Sequence, residues 1–232
     1  MSAAPTGRPK LIYFAERPKG VDPEGFTARW RQHARLGMSQ PRWRNIERYV
    51  HCDALRVAGT ALPLAGCDGV AMVWYRSEET RLAHIADRDA GPVMKRDEAE
   101  TFARPVREVA ALCEEDVLCP LRQARYKLFL RLWAPEGQDR EEFQAVWLER
   151  FAPRLLDNLD AAGASRGYVQ NQARGEDAAQ GVPPPVCDGI AEIACDNPQA
   201  TAVAVRLALD EVAGCYGAAD AVWTAETVLF AR

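Results

Sequence analysis

Apolar positions along the 232-residue chain switch repeatedly between the two-residue period of a strand and the longer period of a helix. "KLIYFAER", from Lys10, predicts a strand. Asp22-Pro23 then supplies an N-cap and a proline for the first helical turn, so a helix is expected to Met38. "NIERYVHCDA" and "DGVAMVWYRS" predict two further strands, separated by a loop rich in Gly and Pro. Helical sequence follows over about 78–103 with a break expected near Gly91-Pro92, and "REVAALCEED" ends the series as a strand. The order is βαββαβ. A second series repeats it: "YKLFLRLWA", a helix opened by Asp139 with Glu142 at capping-box spacing, "GYVQNQA", "DGIAEIA", a helix over about 199–212, and "AETVLFA".

The two series are copies. Lys10-Leu11-Ile12-Tyr13 recurs as Lys127-Leu128-Phe129-Leu130, and Phe26-x-x-x-Trp30 recurs as Phe143-x-x-x-Trp147, both at an offset of 117. Tyr49-Val50 matches Tyr168-Val169 at 119, and Asp68-Gly69 matches Asp188-Gly189 at 120. Ordered anchors with so little drift describe a duplicated, domain-sized unit rather than a solenoid. The expected organisation is a short leader over 1–7, a first repeat over 8–122 and a second over 123–232.

A βαββαβ unit folds as a four-stranded antiparallel sheet with both helices on one face, the ferredoxin-like arrangement. The other face remains apolar: in the first copy Val70, Met72 and Trp74 lie on one side of the strand and Ala71, Val73 and Tyr75 on the other. That face needs a cover, and the second repeat can supply it. The predicted fold is therefore α+β, two ferredoxin-like repeats closing into an intramolecular pseudo-dimeric barrel of eight strands with the helices outside. The connection "CPLRQAR" is too short and stiff for two independent domains.

Composition narrows the partners. A net charge of -4 and scattered basic residues argue against nucleic acid. No apolar run is long enough to span a bilayer, and "MSAAPTGRPK" lacks the core of a secretion signal, so a cytoplasmic location is expected. The seven cysteines have no zinc-type spacing and are expected to be buried thiols. There is no Gly-rich nucleotide loop.

The strand opening with Lys-Leu, the helix carrying Phe-x-x-x-Trp and then His33, the Arg/Gly-Tyr-Val strand, the Asp-Gly-Val/Ile-Ala strand and the stretch "RDEAETFAR" together resemble the EthD-like family of the dimeric α+β barrel superfamily, as two tandem copies. The resemblance implies a barrel that relatives close by homodimerising and that this chain would close within itself, as a monomer or a homodimer of pseudo-dimers. It also implies a small-molecule, catabolic context. Related barrels include cofactor-free monooxygenases, decarboxylases, dehydratases, cyclases, isomerases and haem-binding enzymes, among which fold alone does not choose.

All three histidines, His33, His51 and His84, fall in the first repeat, which is where imidazole acid/base chemistry is expected. His33 shares a helix face with Phe26 and Trp30; it is either a pocket residue or a core-edge histidine bonded to backbone. His51 shares a strand face with Glu47, Tyr49 and Asp53, which suits a pocket lining or a solvent-facing edge. His84 is expected on the surface. Glu192 stands where the first copy has Met72; in a sheet interior it is either a general base with a raised pKa or the ion-pair partner of a base such as Arg131. Asp68 and Asp188 are expected to cap turns, and Asp68 is also a candidate for binding substrate. Trp30, Trp74, Tyr168 and Gln170 are candidates for lining a substrate pocket, and the loop over 173–186 is a candidate lid.

The primary expectation is a cofactor-independent enzyme acting on an apolar carbonyl or aromatic compound by proton transfer, with His51 and His33 as acid and base, Tyr49 and Asp53 orienting them, and Glu192 as a further candidate. The alternatives are an EthD-type oxidoreductase or haem-linked protein, with His33 or His51 as axial ligand, and a non-catalytic ligand-binding accessory protein. Two unequal pockets are expected, with the chemistry in the first repeat.

Overall fold

The computed structural model describes residues 8–232; the leader over 1–7 lies outside the described residues. Repeat 1 forms β1 (Lys10–Ala15), α1 (Pro23–Met38), β2 (Ile46–Leu55), β3 (Gly69–Tyr75), α2 (Glu78–Ile85), α3 (Ala90–Thr101) and β4 (Ala110–Cys119). Repeat 2 forms β5 (Tyr126–Trp133), α4 (Arg140–Val146), α5 (Ala152–Ala161), β6 (Ser165–Ala173), β7 (Gly189–Cys195), α6 (Pro198–Glu211) and β8 (Ala218–Ala231). The strands close into one antiparallel barrel in the order β1-β3-β2-β8-β5-β7-β6-β4. Each half keeps the ferredoxin-like order, so the pseudo-dimeric α+β barrel expected from the duplicated pattern is the fold.

Closure depends on the last strand of each repeat being long enough to serve two partners. In β4, Ala110 to Cys113 pair with β1, and Cys113 to Cys119 pair with β6. In β8, Ala218 to Thr224 pair with β5, and Trp223 to Ala231 pair with β2. The sequence pattern placed β8 only over its second half, because "AADAV" carries too little apolar alternation to read as a strand without its partner β5.

Helix starts follow their chemistry in part. Asp22 accepts a bond from the Gly25 amide at 2.8 Å and caps α1, and Ser77 forms a capping box with Thr80 at the start of α2. Asp139 makes no side-chain cap bond, so the Asp139/Glu142 box predicted from spacing does not form. The helix break falls over 86–89, before Gly91-Pro92, because proline is tolerated in the first turn of α3.

Each Asp-Gly pair has a packing reason. A Cβ added at Gly69 would lie 2.5 Å from Trp30 Cζ3, and one at Gly189 would lie 2.4 Å from Trp147 Cζ3. The helix tryptophan of each repeat thus presses on the bare backbone at the start of its sheet's inner strand. The preceding carboxylates tie the neighbouring loops: Asp68 accepts from the Arg17 amide and Nε at 2.9 and 2.8 Å, and Asp188 accepts from the Ala134 amide at 2.8 Å. Gly69→Ala is expected to destabilise the protein by about 1–3 kcal/mol by overpacking, measured by urea unfolding.

Three cores result. Ile12, Phe14, Val50, Met72, Phe129, Ile190 and Val222 fill the barrel lumen. Tyr13, Phe26, Trp30, Tyr49, Val73 and Phe102 pack between the helices and sheet of repeat 1. Trp147, Phe151, Leu155, Leu159, Tyr168 and Val205 do the same in repeat 2.

Candidate functional site

Two clusters of buried titratable groups stand out among the described residues. One is the barrel lumen, where the Met72/Glu192 difference is resolved. Lys10 and Lys127, matching first-strand residues of the two repeats, both point inward and share the carboxylate of Glu192. Lys10 also donates to Glu115 at 2.8 Å and to Asn171 at 2.9 Å, Lys127 pairs with Glu226, and Asn171 donates to Glu192 at 3.1 Å. Lys10 and Glu192 have no solvent exposure.

The two lysines hold the Glu192 carboxyl at about 2, against the effect of burial. The expectation of a raised pKa is therefore corrected, and so is the expected partner: Arg131 pairs with Asp220 at 2.5 Å, not with Glu192. A carboxylate pinned by two ammonium groups is a poor base. Trp74 belongs to this lumen cluster, donating to Glu115 at 2.8 Å, not to the cavity described next.

That cavity lies in repeat 1, between its helices and the outer face of its sheet. An inner chamber of about 140 Å³ is lined by Tyr13, His33, Tyr49, Glu98 and neighbouring apolar residues. An outer chamber of about 650 Å³ opens beside it. The two share walls from Leu11, Arg42, Tyr75, His84, Glu98 and Val106.

Alternation on β1 and β2 turns Tyr13, Tyr49 and His51 toward α1, while Ile12, Val50 and Cys52 face the lumen. His51 is fully buried and stacks on Trp30 with ring centroids 3.8 Å apart, so it is neither a solvent-facing edge residue nor in direct contact with the chamber. Arg31 approaches its Nδ1 and also pairs with Asp53. Burial and the Arg31 charge push the imidazole down to about 2, so it is neutral.

The hydrogen-bond directions then follow from counting donors. A guanidinium can only donate, so His51 Nδ1 accepts and the ring proton sits on Nε2. Nε2 donates to Tyr49 Oη at 2.6 Å. Trp30 Nε1 donates to Tyr13 Oη at 3.1 Å, and the two phenol oxygens are 2.9 Å apart. That phenol pair holds two protons and needs one for the bond between its oxygens. The other is left to be donated into the chamber that both tyrosines line. Burial raises Tyr13 to about 12 and Tyr49 well above its ordinary value, which keeps both protonated.

His33 presents the complementary group. Its Nδ1 lies 2.6 Å from Asp97 Oδ2, and Arg29 binds the same carboxylate at 2.7 Å. The carboxylate orients the ring with the proton on Nδ1 and leaves Nε2 bare, with no hydrogen bond to a described residue. Burial lowers the His33 pKa against the pull of Asp97, so the imidazole is neutral near pH 7. His33 is thus held by a side-chain carboxylate rather than by backbone.

His84 is half-buried, its Nδ1 bonding the Arg42 carbonyl at 3.2 Å, with burial lowering it to about 4; the expected surface position is corrected. The loop over 173–186 reaches across from repeat 2, where Gly181 and Pro183 wall the outer chamber and the Gln180 carbonyl accepts from Arg81 at 2.7 Å.

Repeat 2 has no matching set. Leu130 replaces Tyr13, Arg150 replaces His33 and Gln170 replaces His51. Tyr168 is buried, and Gln170 donates to its hydroxyl at 2.8 Å and to the Trp147 carbonyl at 3.3 Å. These two, and the Asp68 already tied to Arg17, lie apart from the repeat 1 cavity. Tyr13, Arg31 and Arg42 were not singled out from the sequence, and Asp97 and Glu98 stood out only within the stretch "RDEAETFAR", not as site residues. Tyr13 had one available signal, its mismatch with Leu130.

The EthD domain family model matches the chain over residues 18–105 and 135–207, which is most of both repeats. The chain belongs to the EthD family. No curated protein sequence matches this EthD chain. Among solved structures, an anthrone oxidase-like protein is similar with a TM-score of 0.57 at 14% identity, covering 98% of this chain and 95% of its own. A candidate monooxygenase from Fusobacterium nucleatum gives 0.55 at 7% identity over 96% and 94%. A haem-binding protein from Thermus thermophilus gives 0.51 at 11% identity over 97% and 95%. At these identities the likeness is one of fold. No helix among the described residues is long and apolar enough to cross a membrane.

A pH effect follows from the buried imidazoles. Below pH 6.5 the unfolded chain binds protons at His33, His51 and His84 that the folded chain takes up only at lower pH, so stability falls as pH drops through that range. His51→Gln, copying position 170, is expected to remove about 2 kcal/mol of that fall between about pH 7 and pH 5. Urea unfolding at the two pH values checks it.

Proposed function

We propose that this EthD-family protein is a small-molecule enzyme that moves a proton on an apolar carbonyl or aromatic compound in the inner chamber of repeat 1. One observation carries the reading: a bare, carboxylate-oriented His33 Nε2 and an unspent phenolic proton of the Tyr13/Tyr49 pair line the same 140 Å³ chamber. His33 is the base. It takes a proton from carbon or hydroxyl of the substrate, and the phenol donates a hydrogen bond to the oxygen on which charge develops. His51, Arg31 and Trp30 are positioning residues that set the phenols' orientation. Elimination, decarboxylation, isomerisation and cyclisation all begin with such a step.

Haem is not part of this reading, because neither histidine offered as an axial ligand suits the role. His51 has both ring nitrogens engaged and a face against Trp30. His33 has one ring nitrogen fixed by Asp97 and Phe102 edge-on at 5.1 Å, which crowds the approach of a macrocycle. The oxidase-like and monooxygenase descriptions of the similar folds favour a second reading, in which the carbanion made by His33 is consumed by dioxygen. Oxygen uptake during turnover separates the two.

The test is solvent deuterium incorporation, followed by NMR, across a panel of cyclic ketones, phenols and anthrone-like compounds. Incorporation that depends on His33 is expected. Equal incorporation by wild type and His33→Ala would overturn the reading.

A further inference from the structure

We propose that the compound bound in the repeat 1 cavity carries a carboxylate, held by the Arg42 guanidinium with Lys95 and Arg107 beside it, while its apolar body reaches toward His33 and the tyrosines. This rests on the proposed function only for which end of the ligand reacts. The binding claim stands on the outer chamber.

Arg42 is the central observation. It is half-buried, faces both chambers, and forms no ion pair with a described carboxylate; its guanidinium makes one long hydrogen bond, 3.4 Å, to the His84 carbonyl. Almost every other partly buried cation of the chain has a carboxylate: Arg29 with Asp97, Arg31 with Asp53, Arg81 with Glu78, Arg131 with Asp220 and Arg174 with Glu114. Burial lowers the Arg42 pKa, with Asp87 acting only from a distance. A partly desolvated guanidinium left without an anion is costly unless a ligand supplies one.

The surrounding charge points the same way. Lys95 and Arg107 line the same chamber, are exposed and have no ion pair with a described residue. The one carboxylate in the lining, Glu98, has an oxygen engaged by the Val106 amide at 2.9 Å. Three unanswered cations against one acid leave the mouth positive in a protein whose net charge is -4. Such a mouth attracts anions from solution. The remaining walls, including Leu11, Phe102, Leu112 and Pro183, suit a ring or alkyl body. A planar guanidinium fork matches a carboxylate with two parallel N–H bonds.

The experiment compares matched probes by calorimetry: 2-naphthoate against 2-naphthamide, and 4-phenylbutanoate against 4-phenylbutanamide, on wild type, Arg42→Met and the exposed pair Lys95→Gln/Arg107→Gln. At least one acid is expected to bind roughly tenfold or more tightly than its amide. Arg42→Met should abolish that preference while leaving amide binding unchanged. The surface double variant, which has no packing to lose, should reduce acid affinity about threefold at low salt and less at high salt. Equal binding of acid and amide, an undiminished preference in Arg42→Met, or no saturable acid binding by wild type would each overturn the proposal. His33→Ala should keep the acid preference. If it does so while deuterium exchange is independent of His33, the proton-transfer reading fails and the anion site stands.

Discussion

Glu192→Met is expected to destabilise the protein by about 3–5 kcal/mol, the scale for removing one member of a buried ion pair and stranding the other. Met is the residue at the matching position of repeat 1, and it suits the strand and the volume. The loss therefore comes from charge. Without Glu192, the fully buried Lys10 keeps Glu115 and Asn171, and Lys127 keeps Glu226, but the carboxylate that answers both at once is gone.

The pH dependence follows the same group. Glu192 titrates at about 2 in the folded chain against an ordinary 4.5, so its stabilisation is present above pH 4.5 and is lost as pH falls toward 2. Wild type should lose stability steeply there, and the variant should lose less over the same interval. Urea unfolding of both proteins across that range checks direction and size.

His33→Ala is expected to lower kcat/KM by about 10²–10⁴, the usual contribution of a positioned general base. Tyr13→Phe alone frees the Tyr49 proton from the bond between the phenols, so only the double variant Tyr13→Phe/Tyr49→Phe removes the donor left over for the substrate; a loss of about 10²-fold in that variant fits the removal of one oxyanion donor. Asp97→Asn should act on rate rather than on binding, since it unsettles the imidazole without touching substrate. The base must be unprotonated to work, and burial lowers the His33 pKa, so the acid limb of kcat/KM is expected below pH 6.5. A limb above that value in wild type would assign the base elsewhere.

Local pattern and duplication carried the barrel because each strand and helix is amphipathic on its own terms, and the spare apolar face of each sheet demanded the other repeat. The site was legible only in part. His33, His51 and Tyr49 could be placed on faces by periodicity, and repeat 1 could be preferred because repeat 2 lacks histidine. Glu192 was visible as an anomaly, but its partners lie on first strands 182 and 65 residues away, and nothing local names them. Arg131 was the nearer guess by sequence, yet Asp220 on the adjoining β8 claims it. Asp97 was hidden for the same reason. Its link to His33 spans 64 residues and exists only because α3 packs on α1.

The proposed chemistry turns on where the imidazole protons sit, and the chain has only three histidines. Long-range proton–nitrogen NMR of protein labelled with ¹⁵N-histidine reads each ring directly at neutral pH, without a substrate. The predicted result is His33 protonated on Nδ1 with a bare Nε2, and His51 protonated on Nε2 with Nδ1 accepting, both neutral. His33 protonated on Nε2, or His51 carrying a proton on Nδ1, would contradict the assignment of base and donor.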